Sequence, residues 1–213
     1  MTIEEMHDLC DILMDKNNAP WFNPSEKDKF IRLAELEFVK QQVDRYEVDE
    51  KGRKNIQTLV RKYTSAPAIN SINVDSAIPT LMYIVQMSGD FVDSCGNTDS
   101  EAIVPIQLDD EIDLTDDPFF KLGNNTRGYR ETYENGYREV QIISDVDPTN
   151  VILRYIKKPV DVNRDVTTPA NSVNSELPVH VHEEIVNIAV RKMVGSVQDQ
   201  FHYQVQQNEE QKT

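Results

Sequence analysis

The stretch Val151-Ile152-Leu153-Arg154-Tyr155-Ile156-Lys157 sends Val151, Leu153 and Tyr155 to one side and Ile152, Arg154 and Ile156 to the other. That period of two is the mark of a strand. After a polar interval from Asp161 to Ser175, which reads as an irregular loop, the period changes. Leu177-Pro178 opens a run in which Ile185, Ile188, Ala189, Val190, Met193, Val194, Val197 and Phe201 form the stripe of a long helix. The chain therefore closes on a strand, a loop and a helix, and the fold depends on what precedes them.

The N-terminal part is helical. Ile3, Met6, Leu9, Cys10 and Leu13 form a stripe over residues 2–15, which stops at Asn17-Asn18-Ala19-Pro20. A second helix opens at Asn23-Pro24-Ser25-Glu26, with Asn23 as cap and Pro24 at the first helical position. Its buried face is predicted to be Phe30, Leu33, Ala34, Phe38 and Val39, widened by Ile31, Leu36 and Val43, and it runs to about Tyr46. So broad a stripe implies packing on two sides. Asp49 to Gly52 makes a polar break. A third helix is predicted through Ile56, Leu59, Val60 and Tyr63, ending before Ser65-Ala66-Pro67.

The middle of the chain reads as strands. Ala68 to Val92 contains the run Leu81-Met82-Tyr83-Ile84-Val85, and Ala102 to Leu108 and Arg138 to Ser144 follow. Turn-like linkers separate them at Gly123-Asn124-Asn125, Glu134 to Tyr137 and Asp147 to Asn150. Asn135-Gly136 is the strongest hairpin signal in the chain. The resulting plan is a helical region over 1–65, a β-rich region over 66–160 and a loop over 161–176. A C-terminal helix over 177–206 rejoins the helical region, and 207–213 is a polar tail. The predicted fold is α+β: N-terminal helices, a central antiparallel sheet or small barrel, and a long C-terminal helix packing back on the first helices.

Charge limits the function. With 22 Lys and Arg against 37 Asp and Glu, the net charge is −15 over 213 residues. Ten of the acids fall between Asp90 and Phe120, a stretch with no Lys or Arg. A surface of that kind repels nucleic acid and anionic lipid. Two cysteines, Cys10 and Cys95, give neither a disulfide framework nor a metal-ligand spacing, which fits a reducing compartment. The acidic, amphipathic start reads as a helix and not as a signal peptide. No apolar run approaches the length of a membrane span. The expectation is a chain made in the cytosol without a membrane partner.

Signals of chemistry are weak. His180 and His182 are two residues apart, so a helix would point them away from each other, and the bland reading is a charged first turn with Glu183 and Glu184. The acids from Asp109 to Asp117 lack the glycine and terminal glutamate of a calcium loop. Neither a nucleophile elbow nor a phosphate loop is present. Cys95 lies among acids that disfavour a thiolate. Arg53, Lys54, Arg61 and Lys62, and Arg154, Lys157 and Lys158, read as charges in salt-bridging positions. No catalytic residue, metal ligand or cofactor site is predicted.

Several phrases together resemble a known family. Leu177 through Lys192 is similar to the closing helix of phage neck proteins. Val151 through Pro159, a strand ending in Tyr-Ile-basic-basic-Pro, resembles the strand that precedes it there. Asp117-Pro118-Phe119-Phe120-Lys121 and the helix from Asn23 to Tyr46 complete the order. The likeness is to ring-forming head-to-tail connector proteins (adaptor, neck or ring) of short-tailed, crAss-like bacteriophages. It implies a virion protein that forms a twelve-fold homo-oligomeric ring below the portal. Its partners would be copies of itself, the portal protein and adjacent neck or tail proteins, with DNA passing through unbound.

On that reading Phe30, Phe38, Ile185, Val190, Val194 and Phe201 are the candidates for core and neighbour contacts. Asp109, Asp110, Asp113, Asp116 and Asp117 are the candidates for a channel- or ring-facing acidic surface. The rivals are a tail-tube, stopper or minor capsid protein, a metal-dependent hydrolase or nuclease built on the carboxylates, and an adaptor binding through its last helix.

Overall fold

The computed structural model describes residues 1–15, 21–46, 48–65, 70–92, 95–106, 127–134, 136–144 and 146–210, with side chains to Val197 except that of Glu134. It divides into a helical unit, Met1–Leu59 with Pro159–Thr213, and a β unit, Val60–Lys158.

The helical unit begins with α1 (Ile3–Asp15) and α2 (Pro24–Tyr46). Both start in a reciprocal capping box. Glu5 N donates to Thr2 Oγ1 at 3.2 Å while Thr2 N donates to Glu5 Oε2 at 2.8 Å. Asn23 and Glu26 repeat the arrangement at 2.9 Å in each direction. Helix α3 (Glu50–Ile56) is capped by Asp49, which accepts from Lys51 N at 2.9 Å, and decays into a 3-10 turn at Gln57–Leu59.

Here the structure departs from the helix predicted to run through Tyr63. Val60–Thr64 is strand β1, an edge strand paired antiparallel with the last strand of the sheet (Val60↔Ile156, Tyr63↔Leu153). The spacing of Ile56, Leu59, Val60 and Tyr63 fits a helix. The branched Val60 and Thr64 and the ring of Tyr63 suit a pleated surface equally, and pairing with a distant strand decides.

The β unit continues with β2 (Ser71–Asn73), a single turn α4 (Val74–Ala77) capped by Asn73, then β3 (Leu81–Val92), β4 (Thr98–Pro105), β5 (Gly128–Glu134), β6 (Tyr137–Ile143) and β7 (Asn150–Lys157). The order across the sheet is β1-β7-β3-β4-β5-β6-β2. Pairing is antiparallel throughout except β4 with β5, which run parallel. Gly136, at φ +85°, turns the hairpin between β5 and β6 as the Asn135-Gly136 pair predicts.

The seven strands curl into a half-barrel around one apolar core that includes Met87, Phe91, Ile103, Tyr129, Val140 and Leu153. Strand β3 reaches this core through two irregularities in its pairing with β7, between Leu81 and Tyr83 and between Ile84 and Gln86. Each inserts one residue and shifts the phase. The inward positions therefore run Leu81, Ile84, Met87, Gly89, Phe91 instead of alternating.

Helix α5 (His182–Glu210) follows a 3-10 turn at Val179–Val181 and packs along α1 and α2, so the C-terminal helix does return to the N-terminal ones. Ile185, Val186, Ala189 and Met193 are fully buried, with Met6, Cys10, Ile31, Ala34 and Phe38 from the other two helices. Truncating one large member of such a core costs about 2–5 kcal/mol.

Candidate assembly surfaces

The buried stripe of α2 is more polar than its apolar residues suggest. It runs Lys27, Asp28, Ile31, Ala34, Glu35, Phe38, Val39 and Gln42, while Leu33, predicted to lie inside, is 52% exposed. Ionisable groups tolerate burial only when partnered, and most of these are. His7 Nε2 donates to Asp28 Oδ1 at 2.9 Å, and Arg164 N donates to both Asp28 oxygens at 3.2 Å. Lys27 pairs with Asp11 and lies 5.4 Å from the centre of the Trp21 ring. Gln42 Oε1 accepts from Asn55 Nδ2 at 3.0 Å.

Glu35 is satisfied only in part. Its Oε1 has no partner among the described residues. Burial pushes its carboxyl up to about 7; a hydrogen bond from Ser175 opposes this, the nearby Glu176 and Asp161 carboxylates add to it, and Arg32 offsets it in part.

These groups hold the segment from Val160 to Glu176, read from sequence only as a loop. Arg32 Nε donates to Val162 O at 3.0 Å, and Ile3 N donates to Asn174 Oδ1 at 2.7 Å. Asn163 and Val173 pair as an antiparallel bridge. The segment is thus a strap tied to α1 and α2, and Asp28 links three elements.

The two histidines face different partners. His180 Nε2 donates to Asn55 Oδ1 at 3.0 Å, and His182 Nε2 donates to Leu177 O at 2.8 Å. Burial lowers the pKa of His182 against the raising effect of that carbonyl bond. Both rings are committed to the structure of the helix start. Cys10 is buried, which drives its thiol up to about 12, whereas Cys95 is exposed.

Of the residues proposed for core and neighbour contacts, Phe38, Ile185 and Val190 are buried within the helical unit. Phe30 is half-buried, stacked edge-to-face with Phe22 at 5.5 Å, and Val194 is half-buried. The side chain of Phe201 lies outside the described residues. So do Asp109, Asp110, Asp113, Asp116 and Asp117. Large apolar side chains that do reach the surface of this unit include Ile12, Trp21 and Leu33, at 54%, 72% and 52% exposure.

The basic clusters divide. Lys54 pairs with Glu50 one turn away at 3.0 Å, as the sequence suggests. Lys62 and Arg154 do not follow that pattern. They stand opposite each other in the β1/β7 register, beside Gln86 and Ser88, around a shallow cleft of about 100 Å³. The signal was present in the sequence: no acid occurs in either strand.

Among the described residues, these polar contacts hold helices and strap together. A family model described as phage tail ring protein 3/4 matches residues 1–203. The chain belongs to this family of phage tail ring proteins. None of the curated proteins compared with the chain matches it. The ring protein is accordingly a structural component of a phage virion.

Proposed function

We propose that this ring protein closes into a homo-oligomeric ring in the neck of the virion, as a head-to-tail connector that extends the DNA channel between capsid and tail. The match of residues 1–203 to a tail ring family carries the reading. The architecture supports it. Closed rings are built from heterologous contacts, in which two unlike faces of one protomer meet in its neighbours. A helical unit and a curled sheet supply unlike faces. Ile12, Trp21 and Leu33, with the half-buried Phe30 and Val194, are apolar positions available for such contacts.

The net charge of −15 suits a channel through which DNA slides, because cationic linings hold phosphate by releasing counterions. The segment from Asp109 to Asp117 would face the channel or a stacked ring. Twelve copies are proposed, adjoining the portal protein and adjacent neck or tail proteins, with no catalytic role. The family description, which says tail, favours a second position: a ring stacked farther down the tail. Cryo-electron microscopy of intact virions separates the two. Density for the half-barrel in the layer next to the portal supports the connector; density only in more distal layers supports the second reading; its absence from any ring overturns both.

A further inference from the structure

The half-barrel is electrically polarised across its strands. At one edge, β1 and β7 carry Arg61, Lys62, Arg154 and Lys157 and no acid. Nearer the other edge, β4 carries Asp99 and Glu101, the latter paired with Arg127 at 3.3 Å, and β5 adds Glu131 next to Arg130. The faces differ as well. Tyr63, Leu153 and Tyr155 turn inward to the core, so their neighbours Lys62 and Arg154 stand on the convex side. Asp99 lies opposite the buried Phe91, Glu101 opposite Gly89 and Glu131 opposite Val140, which puts the acids on the concave side. All three are exposed.

Lys62 and Arg154 are the anomaly in this arrangement. Like charges directly across a strand pair repel. Among the described residues neither side chain is in an ion pair, although acids outnumber bases in the chain. Gln86 and Ser88 complete a small polar cleft around them. The site has the composition of a receptor for carboxylate oxygens, and the chain's own acids on β4 and β5 lie on the opposite face of the sheet.

We infer that the convex basic edge of one protomer, centred on Lys62 and Arg154, docks against the concave acidic strands β4 and β5 of a second copy, at Asp99 and Glu131. The pairing is heterologous, so it propagates around a ring. The inference rests on the ring assembly proposed above and assigns it one contact.

The test compares the purified chain with three variants by native mass spectrometry across protein concentration and added NaCl. Lys62→Glu with Arg154→Glu is expected to raise the concentration needed for assembly by about tenfold or more, since like charges then face each other. Asp99→Lys with Glu131→Lys is expected to do the same. The chain with all four changes is expected to recover assembly, which also shows that the altered surfaces still fold. Added salt should weaken wild-type assembly.

Rings of unchanged mass and concentration dependence in the first variant overturn this contact while leaving the ring standing. Wild type and the four-fold variant that both stay monomeric at every concentration overturn the ring, and the contact with it. Retention of wild type on duplex DNA that is lost in the first variant, with assembly intact, assigns the surface to phosphate and overturns the inference.

Discussion

His7 on α1 and Asp28 on α2 meet at 2.9 Å in the interior of the helical unit, and the same carboxylate receives the backbone N–H of Arg164 from the strap. One carboxylate thus fixes the relation of two helices and a segment more than a hundred positions away in the chain. Removing it leaves a buried imidazole and a part-buried amide without an acceptor. Asp28→Ala is expected to cost about 3 kcal/mol in urea unfolding. Asp28→Asn, which keeps an acceptor, should cost less than half of that. Equal losses in the two variants would mean that the negative charge, and not an acceptor at this position, holds the contact.

Glu35 gives the helical unit a pH dependence of unusual sign for an acid. Its folded carboxyl titrates near 7, well above the ordinary carboxylate range it regains on unfolding. Between those values the folded state binds the additional proton. The stability this group contributes is present below the ordinary range and is lost as pH rises through about 7. Glu35→Gln should match wild type near pH 4 and exceed it at pH 8 by up to about 3 kcal/mol. Parallel stability curves over that window would contradict the assignment.

The thiols should separate by reactivity. Cys10 is buried with its thiol held near 12, and Cys95 is exposed. A thiol-specific reagent at pH 8 is expected to modify Cys95 alone in the folded chain and both after denaturation. Modification of Cys10 at a rate independent of denaturant would be inconsistent with a closed α1/α5 contact.

Gly89 faces the half-barrel core where no side chain fits. A Cβ there would lie 3.0 Å from the Phe91 ring and 3.1 Å from Ile103 Cδ1. Gly89→Ala should destabilise the β unit by about 1–3 kcal/mol, measured by thermal melting. A neutral result would show that Phe91 swings aside without loss.

Much of this architecture was legible in the sequence, and the failures share a cause. Capping signals and apolar stripes located α1, α2 and α5 because those are local properties; Asn23, Pro24 and Glu26 declare the start of α2 on their own. Strand β1 was misread because Val60 and Tyr63 owe their conformation to Ile156 and Leu153, far along the chain. The inward positions of β3 escaped the period-of-two test because two inserted residues spread Leu81, Ile84 and Met87 three apart. The stripe of α2 was displaced towards Leu33 because Lys27, Asp28, Glu35 and Gln42 count as surface residues until their partners are known. Lys62 and Arg154 were read as salt-bridging charges, since only the register shows them facing each other.

The central claim is that copies of this chain close into a ring. Native mass spectrometry of the purified chain at increasing concentration addresses it most directly. The expected result is one discrete species at an integral multiple of the chain mass, twelve copies if the neck reading holds, with no ladder of larger forms because a ring closes. A chain that remains monomeric at every concentration, or that grows without limit into open filaments, would contradict it.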